Sequence, residues 1–154
     1  MTTPPRHEAS RGDGRSRRDI ELDVEVGTRI EGYRWVEWRR TELDDGPFEE
    51  PGRFLGHPGD LASRFYVEAR RGAPPAPQPY RRLPHYSLEP GPALRAAERA
   101  GVFRAQGAAL SCTPGGVWHV TVAQGGIDMD DESLPRLLSR AALRLVGLAA
   151  EEQR

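Results

Sequence analysis

Residues 83–148 decide the fold of this chain, and they read LPHYSLEPGPALRAAERAGVFRAQGAALSCTPGGVWHVTVAQGGIDMDDESLPRLLSRAALRLVGL. Over this stretch the turn residues, the hydrophobic periodicity and the polar residues agree with one another. A proline opens and a glycine closes a short predicted helix from Gly91 to Ala100. A hairpin and a longer amphipathic helix follow. The stretch therefore predicts an α/β (α+β) domain with an antiparallel sheet.

The predicted strands are recognised by their alternating pattern. Val102-Phe103 is expected to open the sheet, and Leu110 and Cys112 to continue it. After a Pro-Gly-Gly turn, Val117–Ala123 alternates so that Trp118 and every second residue after it face the core. Cys112 is the single cysteine of the chain. An intrachain disulfide is therefore impossible, and we expect a buried, inert thiol.

The last helix carries the strongest periodicity. The acidic run Asp128–Glu132, followed by Ser133, is typical of a helix start. Its apolar stripe consists of Leu134, Leu137, Leu138, Ala141, Leu145 and Leu148. Arg136, Arg140 and Arg144 recur every four residues on one ridge. Arg140 sits mid-helix beside two alanines, where it is a candidate clamp for a phosphate or carboxylate.

The segment from Ile20 to Trp38 fits two patterns. Alternating apolar and acidic residues from Ile20 suit a strand, whereas the four-residue spacing of the apolar positions equally suits a helix. The order of its charges, acids early and arginines late, favours a helix from Asp19 to Glu31. A strand is then predicted through Tyr33–Trp38.

The rest of the chain is organised around a single domain. Residues 1–18 are Arg-rich and polar without periodicity, which predicts a disordered tail. The domain is placed at residues 19–148, with a Pro/Gly-rich, loop-like insertion at 41–79 that holds one short strand or helix end near Arg64–Ala69. A short C-terminal tail is placed at 149–154.

Several function classes are disfavoured by composition. The formal net charge of −1 gives no global attraction to nucleic acid, and no apolar run is long enough to span a membrane. No phosphate-binding loop, nucleotide fingerprint, nucleophile elbow or paired-histidine metal motif occurs. We therefore expect a cytoplasmic protein that is not an enzyme, with no catalytic residues, no bound metal and no cofactor.

Four motifs occur in order along the chain. They are Leu22, Val26, Ile30, Gly32 and Tyr33 at helical spacing; Leu83-Pro84-His85-Tyr86-Ser87; Gly115-Gly116-Val117-Trp118-His119-Val120; and Leu134-Pro135 leading to Arg140-Ala141-Ala142-Leu143. Together they cover Asp19–Trp38 and Leu83–Leu148. In this order and spacing they resemble the phage ABA sandwich domain family of small phage and prophage proteins. The chain departs from that pattern at Pro90 and Pro92 and in its longer insertion.

The resemblance implies an α-β-α sandwich, in which a central antiparallel sheet is flanked by N-terminal and C-terminal helices. It also implies a helix for the first segment. Such domains include homo-oligomeric anti-defence proteins that bind nucleotide-type immune signals without cleaving them. Arg140 is then the first candidate ligand contact, followed by Tyr86 and Ser87.

Trp118 and Arg136 complete the predicted ligand-binding set, although a strand tryptophan is more often a core residue. The predicted partners are a nucleotide-type small molecule and further copies of this chain in a bacterial host cytoplasm, with no membrane and no nucleic acid. A second hypothesis is a phage accessory module that contacts a protein or DNA through its loops and Arg-rich tail.

Overall fold

The computed structural model describes residues 15–38, 52–62 and 65–154. These residues form helices α1 (Arg17–Arg29), α2 (Pro90–Ala100) and α3 (Leu134–Glu152), and strands β1 (Arg34–Trp38), β2 (Arg53–Gly56), β3 (Tyr66–Glu68), β4 (Ala109–Cys112), β5 (Trp118–Val122) and β6 (Ile127–Asp131). The predicted α+β class is confirmed. The strands belong to two antiparallel three-stranded sheets, in the orders β2-β1-β3 and β4-β5-β6, rather than to one central sheet.

Helix α1 begins with a reciprocal capping box. The Ser16 hydroxyl accepts the backbone N–H of Asp19 at 3.1 Å, and the Asp19 carboxylate accepts the N–H of Ser16 at 3.2 Å. This arrangement satisfies two backbone donors that a helix start leaves without intrahelical partners. The predicted helix is confirmed. The predicted tail was wrong at Arg15–Arg18, which belong to the folded domain, and its first 14 residues lie outside the described part of the chain.

The predicted insertion supplies two of the three strands of the first sheet. Strand β1 pairs with β2, for example Val36 opposite Phe54, and on its other edge with β3. The loop prediction was therefore wrong for Arg53–Gly56. The apolar run within this strand is short, and glycines and prolines surround it, so the sequence pattern favoured a loop. Residues 41–51 and 63–64 of the predicted insertion lie outside the described part of the chain.

Helix α2 ends where the sequence predicts. Gly101 adopts a left-handed conformation with φ of 86° and caps the helix, a geometry that favours glycine. The first residue is Pro90, one position earlier than predicted. The strand prediction for Val102-Phe103 was wrong, since residues 102–104 form a 3-10 turn. Val102 is fully buried against α2 and α3, so its apolar side chain serves helix packing rather than a sheet.

The acidic run before α3 is not a helix start. Asp128, Asp130 and Asp131 lie in β6, which pairs with β5, and the helix is capped by Ser133, whose hydroxyl accepts the N–H of Arg136 at 3.3 Å. The alternation of Ile127 and Met129 with aspartates is strand spacing, and it decides this segment. Helix α3 continues to Glu152, so the tail predicted from residue 149 was also wrong.

Strand β4 is an exposed edge of the second sheet. All four of its residues are exposed, while α3 packs against β5 and β6. The Cys112 thiol is therefore exposed, and the prediction of a buried thiol was wrong. Periodicity alone does not distinguish an edge strand from a central one.

Two neighbouring clusters form most of the core. The larger joins α2, α3 and the second sheet, and its buried members are Ala93, Ala97, Val102, Val120, Val122, Ile127, Leu137, Leu138, Ala141 and Ala142. The second joins α1, the first sheet and α2 through Val26, Leu55, Leu83, Tyr86 and Ala96. Among the described residues, no helix is long and apolar enough to cross a membrane.

A buried polar network ties the two clusters together. Asp23 of α1 is fully buried, and its carboxylate contacts the Arg15 guanidinium at 3.0 Å and accepts the Ser87 N–H at 2.7 Å. The Ser139 hydroxyl of α3 donates to the Tyr86 carbonyl at 2.9 Å. The segment Leu83–Ser87 is thereby held from two sides. Burial raises the pKa of the Asp23 carboxyl, and the contacts from Ser87 and Arg15 oppose that rise.

Replacing Asp23 by alanine is expected to lower the free energy of unfolding by about 3–5 kcal/mol, because it breaks a buried ion pair with Arg15 and removes the acceptor of the buried Ser87 N–H. Urea denaturation measures the change. The matched control is Glu21→Ala on the same helix, whose ion pair with Arg17 is exposed and is worth only about 0.3–0.5 kcal/mol. Equal losses in the two variants would contradict a structural role for the Asp23 network.

Glu37 provides a prediction for acid pH. The backbone N–H of Arg70, followed by its guanidinium, lowers the pKa of the Glu37 carboxyl below its usual 4.5. A lowered pKa contributes stability that is present above 4.5 and is lost as pH falls through the folded-state pKa. We expect Glu37→Gln to remove this acid-side loss, as measured by urea denaturation against pH. A Glu37 carboxyl carbon that titrates above 4.5 by NMR would contradict the prediction.

Candidate functional site

A surface cavity of about 650 Å³, here called the α2 cleft, is the candidate site. Small-molecule sites commonly measure about 300–1,000 Å³, so the cleft is of ligand size. It lies between α2 with the following 3-10 turn on one side and the end of α1, His57 and the Leu83–Ser87 segment on the other. Its lining residues are Glu31, Tyr33, His57, Pro84, Tyr86, Arg95, Glu98, Arg99, Phe103 and Arg104.

Three arginines line the α2 side of the cleft. Arg99 makes an ion pair with Glu31 at 3.2 Å across the cleft, and Arg104 donates to the Glu98 carbonyl oxygen at 3.4 Å. Arg95 forms no ion pair or hydrogen bond with any other residue that the structure describes. A guanidinium without a carboxylate partner keeps all of its donors for an incoming anion.

Aromatic rings face the same space. Tyr33 and His57 meet edge to face, with ring centroids 5.6 Å apart. Phe103 in the 3-10 turn is 45% exposed, an unusual position for a large apolar ring. The cleft therefore combines cations with ring surfaces, the two features that bind phosphates and bases.

Tyr86 is the deepest aromatic residue of the cleft, with only 3% of its surface exposed. Burial, followed by the nearby Glu31 carboxylate, raises the pKa of its hydroxyl well above the usual 10.0. The pKa of Tyr33 is raised for the same two reasons. Both hydroxyls therefore remain neutral hydrogen-bonding groups at physiological pH.

The predicted ligand-binding residues do not converge on one site. Tyr86 lines the α2 cleft, whereas Ser87 is fully buried behind it and holds Asp23 through its backbone. Arg140 lines a second, shallower cavity of about 460 Å³ between α1 and α3. Trp118 is half-buried and packs against the larger core cluster, so it borders neither cavity.

Arg136 and Arg140 both have an acidic partner. The Arg136 Nε lies 3.4 Å and the Arg140 Nη1 3.3 Å from the same carboxylate oxygen of Asp131. Sharing one carboxylate partly neutralises both cations. Asp131 belongs to β6, so the periodicity of α3 does not predict this pairing. An anion that binds Arg140 must compete with the Asp131 carboxylate.

The arginines of α2 were not predicted as ligand contacts, although their spacing in the sequence indicates a shared helix face. Arg95 and Arg99 are four residues apart, so they share one face of the helix, and Phe103 with Arg104 begins two residues after its glycine cap. No sequence pattern indicates that Tyr33 and His57 line the cleft, because they come from separate parts of the chain. Within the described residues there is no group of three or more histidine, cysteine or acidic side chains that could hold a metal ion.

Comparison with known protein families, curated proteins and solved structures finds no match to this chain.

The buried Tyr86 hydroxyl gives a prediction for alkaline pH. A tyrosine with a raised pKa contributes stability that is present below the usual 10.0 and is lost as pH rises through the folded-state pKa. We expect Tyr86→Phe to remove one late-ionising tyrosine from an alkaline absorbance titration and to lessen the alkaline loss of stability. An unchanged titration curve would contradict the burial of this hydroxyl.

Proposed function

We propose that this protein is a non-enzymatic binder of a nucleotide-type small molecule, which it holds in the α2 cleft. One observation carries the proposal. Arg95 has no ion pair or hydrogen bond within the described part of the chain, and it lies in a ligand-sized cleft beside the exposed ring of Phe103. A ligand that joins an anionic group to a flat ring satisfies both.

In this proposal the anionic group of the ligand binds the guanidinium groups of Arg95 and Arg104. Guanidinium groups bind phosphate oxygens through two parallel hydrogen bonds, and the two residues flank Glu98 and Arg99 on one wall of the cleft. Arg99 is engaged by Glu31, which leaves the other two arginines as the main anion contacts.

In this proposal the flat ring of the ligand, a nucleotide base, stacks on Phe103, and the polar edge of that base forms hydrogen bonds with polar side chains of the cleft. Stacking on an aromatic side chain is worth about 1–3 kcal/mol per base. The carboxylate of Glu98 has no partner among the residues that the structure describes and accepts hydrogen bonds only, so it favours a base edge that carries N–H groups. The neutral hydroxyl of Tyr86 adds a further polar contact.

The biological role in this proposal comes from the family resemblance. Members of the phage ABA sandwich family include proteins that sequester nucleotide immune signals, and Tyr86, which lines the cleft, belongs to the Leu83–Ser87 motif that carries the resemblance. We therefore propose a phage or prophage anti-defence protein that acts as a homo-oligomer in a bacterial host cytoplasm.

Calorimetry with cyclic nucleotides, linear nucleotides and ADP-ribose derivatives tests the proposal. We expect Arg95→Ala to weaken binding by about 1.5–3 kcal/mol for each charged hydrogen bond lost. The matched control is Arg140→Ala, an exposed arginine on another helix that already has an acidic partner. It should change affinity little, and the bound ligand should be recovered unaltered.

Two results would overturn the proposal. Absence of heat with every compound would leave the second hypothesis, a phage accessory module that contacts a protein or DNA. A loss with Arg140→Ala and none with Arg95→Ala would move the site to the cavity between α1 and α3, which is lined by Arg140, the first ligand contact predicted from the sequence.

A further inference from the structure

Gly147 lies inside the long helix α3, at a position where the described residues would accommodate a larger side chain. Glycine in a helix interior is less favourable than alanine, so such a residue calls for a packing reason. A Cβ atom added there would meet, within 4 Å, only the tip of the Arg29 side chain, at 3.5 Å. That distance is ordinary contact with a flexible group. The described residues therefore give no packing reason for a glycine at this position.

Gly147 belongs to one ridge of α3, here called the α3 ridge, formed by Arg140, Arg144, Gly147 and Glu151. Arg140 is engaged by Asp131. Arg144 and Glu151 are exposed, and neither side chain has an ion pair or hydrogen bond with a residue in the described ranges. The ridge thus presents one available cation and one available anion on either side of a glycine.

This spacing is complementary to itself. Arg144 and Glu151 are seven residues apart, which is two helical turns or about 10 Å along the axis, on the same side of α3. A second α3 helix that runs antiparallel, with the two-fold axis between Gly147 and Leu148, places Arg144 opposite Glu151 of the second copy. The same operation forms the symmetrical pair, as an isologous interface requires.

The surroundings of the ridge supply apolar surface. The cavity of about 460 Å³ beside it is lined by Leu22 of α1, Met129 of β6 and Leu143 of α3, all half-buried. Charged side chains, including Glu25 and Arg29, rim this patch. An apolar centre with a charged rim is the usual anatomy of a protein interface.

We infer that the face formed by α1 and α3 is a homodimer interface, in which two copies of α3 cross antiparallel at Gly147 and exchange Arg144–Glu151 ion pairs. The absent side chain at Gly147 leaves room for the two backbones to approach once the flexible tip of Arg29, 3.5 Å from the position of an added Cβ atom, moves aside. The inference rests on the homo-oligomer of the proposed function but not on the α2 cleft, which is lined by other residues, so sedimentation tests the dimer and calorimetry tests the cleft separately.

Charge exchange tests the pairing. Sedimentation velocity of the full chain over a concentration series is expected to show a monomer–dimer equilibrium. Arg144→Glu and Glu151→Arg should each raise the dissociation constant of the dimer by about tenfold or more, since each places like charges opposite one another. An equimolar mixture of the two single variants, and the double variant alone, should both restore the dimer.

Steric blocking at the crossing point gives a second test. Gly147→Leu should abolish the dimer while circular dichroism and urea denaturation show a folded chain. Ala149→Leu is the matched control on an exposed position of the same helix and should leave the dimer intact. A wild-type chain that is monomeric at every concentration, a dimer that survives Gly147→Leu, or charge variants that fail to rescue one another would each overturn the inference.

Discussion

The fold depends on one buried carboxylate. Asp23 lies on the inner side of α1, where it neutralises Arg15 and accepts the backbone N–H of Ser87, which is 64 residues away in the chain. A buried charge is costly unless it is paired and hydrogen-bonded, so the arrangement is stable only when all three groups are in place. Because the Ser139 hydroxyl fixes the neighbouring Tyr86 carbonyl, α1 and α3 hold the same short segment from two sides. These contacts fix the positions of α1 and α3 relative to the Leu83–Ser87 segment.

The α2 cleft follows from that constraint. With the Leu83–Ser87 segment held, Tyr86 closes the deep end of the cleft while α2 brings its arginines along the opposite wall. The ion pair between Glu31 and Arg99 connects the end of α1 to α2, so the mouth of the cleft is bridged by a second electrostatic contact. A cleft held on both sides is preorganised, which reduces the conformational entropy that the protein loses when a ligand binds. The buried aspartate therefore supports the proposed binding site without touching it.

The arginines of the chain differ in what they are free to bind. Arg15 has a buried partner, and Arg136 and Arg140 share Asp131, so their charge is used within the fold. Arg95 and Arg144 are exposed and form no ion pair or hydrogen bond with any other described residue. Arg95 lines the α2 cleft together with aromatic residues, and Arg144 lies on the α3 ridge two helical turns before Glu151. The same residue type is therefore assigned to a small anionic ligand in one proposal and to a second protein copy in the other.

Local pattern determined the class of the fold and the main elements of its second half. Helix caps such as Gly101 and Ser133, the hairpin turn and the apolar stripe of α3 are short-range features, and short-range chemistry is readable from the chain. Only the tertiary structure brought Asp131 beside Arg136 and Arg140, exposed Cys112 at a sheet edge, and gathered Tyr33, His57 and Arg95 around one cleft. Those outcomes depend on how separate helices and strands pack against one another. Periodicity reports which face of an element is apolar, but not which charged or aromatic group another element will bring against it.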